Sequence, residues 1–144
     1  LEYKNVNQLP NHELLNGILC LHESIFKDSD TLITRMESKP KLLITMGLEQ
    51  GKVVGYKIGY ELDSDKFYSW LGGVDGGYRN QGIASELMKT QHNDLKEKGY
   101  KIVQTKTKNK WRNMLILNIK QGFNVIRTYT DEKREPKIIL EKNL

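Results

Sequence analysis

One cysteine, three prolines and three histidines in 144 residues exclude several classes at once. With Cys20 alone, no disulfide can close within the chain, which suits a reducing compartment. Cys20 sits among apolar neighbours in GILCLHESIF and is expected to be a small, buried, unreactive side chain. His12, His22 and His92 do not fall at metal-ligand spacing, so no metal site is expected. No apolar run approaches the roughly 20 residues that span a bilayer, so no membrane partner is expected. The opening LEYKNVNQLP has no basic segment leading into an apolar one. No secretory signal is read there, and a cytoplasmic protein is expected. There is no repeat, low-complexity tract or Pro/Ser-rich linker. One domain over residues 1–144 is expected, long enough to bury a proper core.

Charge is in modest excess, at +5, with acids spread between the bases. Only KTKNKWR, Lys106 to Arg112, is a locally basic run, and it reads as a solvated loop and helix start. A basic chain suits nucleic acid or any small polyanion. Nucleic-acid binding would be supported by aromatics interleaved with basic residues on one surface. No such stripe is legible, so no nucleic-acid partner is expected.

The hydrophobic period changes along the chain. LPNHELLNGILCLHESIF predicts a helix from about His12 to Phe26, capped by Asn11 and with Glu13 in its first turn. Its apolar face carries Leu14, Leu15, Ile18, Leu19, Ile25 and Phe26. DSDTLITRMES predicts a shorter helix with Leu32, Ile33 and Met36 inward, before Pro40. KLLITMGLE, KVVGYKIGYEL and KFYSWLGGV read as strands, joined at hairpin distance by Gln50-Gly51 and by Asp63 to Asp65. After Val74 comes a glycine loop and a helix to about Lys98, with Gly99 as its stop. YKIVQTKT then forms a strand parallel to KFYSWLGGV, because a crossover helix joins them. KWRNMLILNIKQ is a helix ended by Gly122. FNVIRTYT and PKIILEKNL are closing strands across DEKRE, and LEYKNV is a leading one. The expected fold class is α/β with a mixed sheet: mostly antiparallel strands, one parallel βαβ unit, and helices on both faces. It is not the strict strand–helix alternation of a Rossmann fold.

The loop GGYRNQGIASELM, Gly76 to Met88, carries the chemistry. A helix N-terminus offers about four N–H groups without intrahelical partners and a positive dipole end, which together bind anions. Gly82 leaves room for a phosphate at the backbone, and Arg79 adds a permanent cation. Gly76 and Gly77 are expected to let the loop turn freely on leaving the strand. No G-x-x-x-x-G-K-(S/T) and no G-x-G-x-x-G after a first strand is present, so neither a Walker loop nor a dinucleotide fingerprint explains it.

Arg79-Asn80-Gln81-Gly82-Ile83-Ala84 reads R-x-x-G-x-A between a strand and an amphipathic helix. A strand, a second helix and Gly122-Phe123 follow. VDGGYRNQGIASELM in this order of elements resembles the GNAT family of N-acetyltransferases, whose acetyl-CoA loop is written (Q/R)-x-x-G-x-(G/A). LNIKQGF is similar to that family's closing LYEKLGF. The resemblance covers nearly the whole chain and implies an acyl-CoA N-acyltransferase fold. It implies acetyl-CoA as cosubstrate and acetyl transfer to a primary amine by direct attack in a ternary complex.

Residue by residue, the resemblance assigns the CoA pyrophosphate to the backbone of Arg79, Asn80, Gln81, Gly82, Ile83 and Ala84, with Ser85 in reach. It implies that the strand ending at Val74 splays from its parallel neighbour, that Gly72 and Gly73 form a bulge there, and that the pantetheine arm fills the gap beside Gly73. The N–H near Val74 then faces the thioester carbonyl. Asn109 and Asn113 flank Trp111; Asn113 is the preferred contact to the arm. Glu23, Glu61 and Asp28 are candidate bases, with Glu23 preferred at the acceptor edge. Tyr68 and Trp70, sharing a face with Gly72 by period two, are expected to wall the acceptor pocket. The tyrosine that protonates the thiolate in many members is Asn118 here, which can donate a hydrogen bond but cannot give up a proton near pH 7. That departure keeps open a CoA-binding sensor domain without efficient turnover. The acceptor is a small-molecule or peptide amine, and the family habit implies a homodimer.

Overall fold

The computed structural model describes residues 1–144. Its strands are β1 (Glu2–Val6), β2 (Leu43–Glu49), β3 (Lys52–Glu61), β4 (Lys66–Val74), β5 (Ile102–Thr107), β6 (Asn124–Thr130) and β7 (Pro136–Asn143). They form one sheet in the order β1-β2-β3-β4-β5-β7-β6. β4 and β5 run parallel, and the other pairs are antiparallel. The helices are α1 (His12–Phe26), α2 (Leu32–Glu37), α3 (Ile83–Glu97) and α4 (Arg112–Lys120). The expected element order is met, the leading strand included.

Local chemistry sets the helix ends. The Leu14 N–H donates to the Asn11 side chain at 2.9 Å, which opens α1. Gly99 and Gly122 follow α3 and α4 with φ of +92° and +99°, a conformation glycine adopts at little cost. The expected helix over DSDTLITRMES is shorter: Ser29–Thr31 form a 3₁₀ turn before α2 begins. Cys20 is exposed, against expectation. Steps of about 100° per residue turn it away from the buried face of Leu15, Ile18, Leu21 and His22.

The sheet separates two cores. On one face Leu15, Ile18, Leu21, Leu32 and Met36 of α1 and α2 pack on Ile44, Met46, Tyr56 and Ile58. On the other, Met88 and Leu95 of α3 pack on Leu43, Phe67, Val103 and Leu140, with Leu115 and Leu117 of α4 against them. The second interior is partly polar. Gln91 and His92 of α3 are buried, and neither polar atom of the Gln91 side chain nor Nε2 of His92 has a hydrogen-bond partner. Lys142 Nζ donates to His92 Nδ1 at 3.0 Å. Burial, then the charges of Lys142 and Lys57, push the His92 pKa down to about 3. Burial pushes Lys57 down to about 8.

Candidate functional site

β4 pairs with β5 only from Lys66↔Ile102 to Ser69↔Thr105. Beyond that point Trp70–Val74 keeps β3 on one side and has no strand on the other. Thr105 Oγ1 donates to the Ser69 carbonyl at 3.1 Å and closes the crotch of the gap. Asp75 N–H donates to the Val54 carbonyl at 2.8 Å, so Asp75 faces β3. Backbone groups alternate along a strand. Gly73 therefore also faces β3, and the N–H groups of Gly72 and Val74 point into the gap. Across it, Thr107 holds a buried hydroxyl without a partner. The sequence offered no signal for Thr107.

The bulge lies elsewhere than expected. Ile58 pairs with Leu71 and Gly59 with Ser69, so Trp70 is the extra residue. Gly72 and Gly73 pair regularly with Lys57 and Tyr56. The bulge forms opposite Gly59, where a Cβ would meet the Phe67 ring at 2.5 Å and the Tyr68 carbonyl at 2.6 Å. It also resets the alternation. Trp70 and Leu71 both pack toward the α1–α2 core, whereas Gly72 lies beside Lys57 on the α3 side. Tyr68 and Trp70 do share a face, both meeting Tyr60 with ring centroids 5.4 and 5.7 Å apart. Gly72 is not on it.

The loop after Val74 rises to the N-terminus of α3. Asp75 accepts from the Gly77 N–H at 2.8 Å and starts a 3₁₀ turn over Gly76–Tyr78. Neither Gly76 nor Gly77 has positive φ, so the turn does not draw on their freedom; Asn80 (+64°) and Gly82 (+77°) take the left-handed positions. The first helical bond is from Glu86 N–H to the Gly82 carbonyl. The N–H groups of Ile83, Ala84 and Ser85 thus point out of the helix end. Nothing lies within 4 Å of a Cβ built on Gly82. Arg79, Asn80 and Gln81 are exposed around this opening, and no carboxylate pairs with Arg79. Ser85 Oγ accepts from Gln121 Nε2 at 2.7 Å, tying the start of α3 to the end of α4. Free amides at the helix end, an unpaired guanidinium and the strandless gap below fit a phosphate-bearing, extended ligand such as acetyl-CoA. Asn113 is exposed in the first turn of α4, and Asn118 is the buried residue of that helix.

On the opposite face, Glu23 lies exposed near the end of α1. Its carboxylate accepts from the Ser29 hydroxyl (2.7 Å) and N–H (3.1 Å). The hydroxyl bond above all holds its pKa below the usual range. That makes Glu23 a cap for the 3₁₀ turn and a weak base. Glu61 accepts from Tyr100 Oη at 2.9 Å at the far end of β3, opposite Phe67 and away from Val74. A third group was missed. His22, 1% exposed, lies between Asp28 and Tyr56. Its Nε2–H donates to Asp28 Oδ1 at 2.5 Å, and Nδ1 lies 2.5 Å from Tyr56 Oη. Because the carboxylate only accepts, Nε2 is the donor of the first bond, and Nδ1 forms the ring's second with the phenol. Tyr56 Oη lies 3.7 Å from a Cβ built on Gly73. Asp28 was legible as an acid, but its link to His22 and Tyr56 spans 34 residues and left no local pattern.

No helix is long and apolar enough to cross a membrane. A model of the acetyltransferase (GNAT) family matches residues 12–114. The sequence has no significant match among curated proteins. Among solved structures, the chain is similar to an IAA acetyltransferase from Bacillus cereus ATCC 14579, at 16% identity and TM-score 0.80 over 99% of each chain. It is similar to a GNAT family acetyltransferase from Elizabethkingia anophelis with acetyl-CoA bound, at 18% identity and TM-score 0.76 over 99% of this chain and 98% of that one. An aminoglycoside 6'-N-acetyltransferase complexed with coenzyme A aligns at 11% identity and TM-score 0.84 over 99% and 97%.

Proposed function

This chain belongs to the GNAT acetyltransferase family, and on that premise we propose that it transfers an acetyl group from acetyl-CoA to a primary amine by direct attack in a ternary complex. The observation that carries the reading is the gap beside β4, with the Gly72 and Val74 amides turned into it and the open helix end of α3 above. Bound acetyl-CoA supplies the activated acyl group. The amides of Gly82, Ile83, Ala84 and Ser85, with the Arg79 guanidinium and the backbone at Asn80 and Gln81, hold its pyrophosphate. The arm runs past Gly73 between β4 and β5, with Asn113 at its outer side. Val74 N–H donates to the thioester carbonyl and favours the charge that grows there, an effect largest where water is excluded.

The acceptor enters over Tyr68 and Trp70. Both carboxylates at the end of α1 are engaged, Glu23 by Ser29 and Asp28 by the buried His22 at Oδ1 and by Arg35 at Oδ2. We assign removal of the amine proton to a water held by Asp28, in place of Glu23, because Asp28 is linked through His22 to Tyr56 behind Gly73. Asn118 donates a hydrogen bond toward the sulfur. A thiol has a pKa of about 8.5, so the thiolate leaves without an acid. Neighbouring structures include an aminoglycoside acetyltransferase and a complex bound to a Gag peptide, which supports a small-molecule or peptide amine as acceptor. A homodimer is supported by β6, an edge strand with Val125 and Ile126 about half exposed. The second reading, a CoA sensor without turnover, rests on Asn118 alone.

The test is thiol release from acetyl-CoA over a panel of amines, beside calorimetry of acetyl-CoA binding. Binding with turnover is expected. Binding without turnover on any amine selects the sensor, and no binding overturns both readings.

A further inference from the structure

The face of the sheet that carries Tyr68 and Trp70 holds more than the two aromatics. Tyr60 of β3, Tyr68 and Trp70 of β4 and Tyr129 of β6 stand beside one another around the crotch of the gap. Lys39, from the segment after α2, sits 4.8 Å from the Tyr60 centroid and 4.9 Å from that of Trp70. Lys106, just past the last β4–β5 pair, sits 5.8 Å from Tyr68 and 5.9 Å from Tyr129. No carboxylate lies within salt-bridge distance of either ammonium. The acids on this face are engaged: Asp28 with His22 and Arg35, whose guanidinium lies 5.8 Å from the Trp70 ring, and Glu141 with Lys66 and Gln104.

The phenols add donors of the same sense. Burial, and the neighbouring Tyr60 and Tyr129 phenols, push Tyr68 up to about 12, and burial raises Tyr60, so both keep their hydrogens. The tyrosine side chains that form hydrogen bonds in the protein are Tyr56 and Tyr100, which leaves the hydroxyls of Tyr60, Tyr68 and Tyr129 without protein partners. Two ammoniums without a carboxylate partner and three free O–H donors therefore share one patch of the sheet face that offers no unpaired carboxylate. Such a patch attracts anions and repels polycations. The patch is joined to the reacting centre along one strand: Trp70 and Val74 both lie on the half of β4 that borders the gap.

We infer that the acceptor is an amine that also carries a carboxylate, bound with its anion between Lys39 and Lys106 and its amine toward Val74. The inference rests on the acetyltransferase reading. A free acidic amino acid and the N-terminus of an acidic peptide share this chemistry. Polyamines and aminoglycosides, which carry several cations, do not. Single-stranded nucleic acid fits less well, because the lysines already occupy ring faces on which bases would stack.

The experiment measures acceptor binding to the full chain saturated with CoA, by calorimetry, so that turnover is not required. The probes are glutamate, a tripeptide with glutamate at its second and third positions, the same tripeptide with lysines, spermidine, an aminoglycoside and a short single-stranded oligonucleotide. The wild type is expected to bind glutamate or the acidic tripeptide at least about tenfold more tightly than either the lysine tripeptide or spermidine. Whichever of the two binds more tightly names the source. Lys39→Glu and Lys106→Glu should each cut that preference, and Lys39→Gln should do so by less. Equal or tighter binding of the polycations, a preference unmoved by both reversals, or tightest binding of the oligonucleotide each overturns the inference alone. Failure of the wild type to bind CoA at all overturns the acetyltransferase reading and the inference with it.

Discussion

The two halves of β4 are built to different ends. Lys66–Ser69 has a strand on each side, and Phe67 there is buried against Val103 and Met88. Trp70–Val74 has β3 alone. Trp70, Leu71 and Val74 still pack on apolar neighbours, but polar groups stand among them: Lys57 beside Gly72, the His22–Tyr56 pair behind Gly73, and the unpartnered Thr107 hydroxyl across the gap. A full ladder satisfies the backbone on both sides of a strand; an open ladder leaves N–H and C=O groups for a ligand to satisfy. One strand thus serves the core at its start and the chemistry at its end, and the Trp70 bulge divides the two.

The contrast is sharpest under substitutions that fill space. Gly59→Ala acts on the closed half, where the new methyl meets a ring and a backbone carbonyl at 2.5 and 2.6 Å. It should destabilise at or above the upper end of the ~1–3 kcal/mol range of overpacking, read by urea denaturation. Gly73→Ala on the open half meets only the flexible tip of Ile25 at 2.5 Å, with the Tyr56 ring beyond. It should cost less, so equal losses would break the comparison. His22→Leu is next. It leaves the buried Tyr56 hydroxyl without a partner, worth about 1–3 kcal/mol. Tyr56→Phe made in the same chain should recover part of that loss. If the double variant is no better than the sum of the singles, the pair is not coupled as described.

Arg79→Ala should weaken CoA by about 1–2 kcal/mol at low salt, less at high salt, while thermal stability stays put. An unchanged affinity would leave the backbone amides to hold the pyrophosphate alone. The last effect is in pH. The pKa of His92 is depressed from 6.5 to about 3, chiefly by burial. Between those values the unfolded chain binds a proton that the folded chain does not, so stability falls as pH drops through this window. His92→Asn should flatten that slope, and an unchanged slope would place the titration elsewhere.

Much of this was readable from the sequence where the signal is local. Asn11 before an apolar period placed α1, Gly99 and Gly122 placed helix ends, and R-x-x-G-x-A placed the loop. The bulge was misplaced because glycine in a strand marks close approach as well as irregularity. The residue that permits it, Gly59, lies on the partner strand. Period two then carried the error to the face of Gly72. His22, Lys39, Lys106 and Tyr129 come from different elements and meet only in the folded chain. A lone histidine in a helix and a lysine after one carry no pattern that periodicity can detect.

The division of β4 is tested most directly by amide hydrogen exchange, residue by residue, with and without saturating acetyl-CoA. Leu71 and Gly73, which face β3, should be protected in both states. Gly72 and Val74, which face the gap, should exchange readily in the free protein and slow markedly when acetyl-CoA is bound. Protection of Gly72 and Val74 that is already present without the ligand, or that does not change on its addition, would contradict the account.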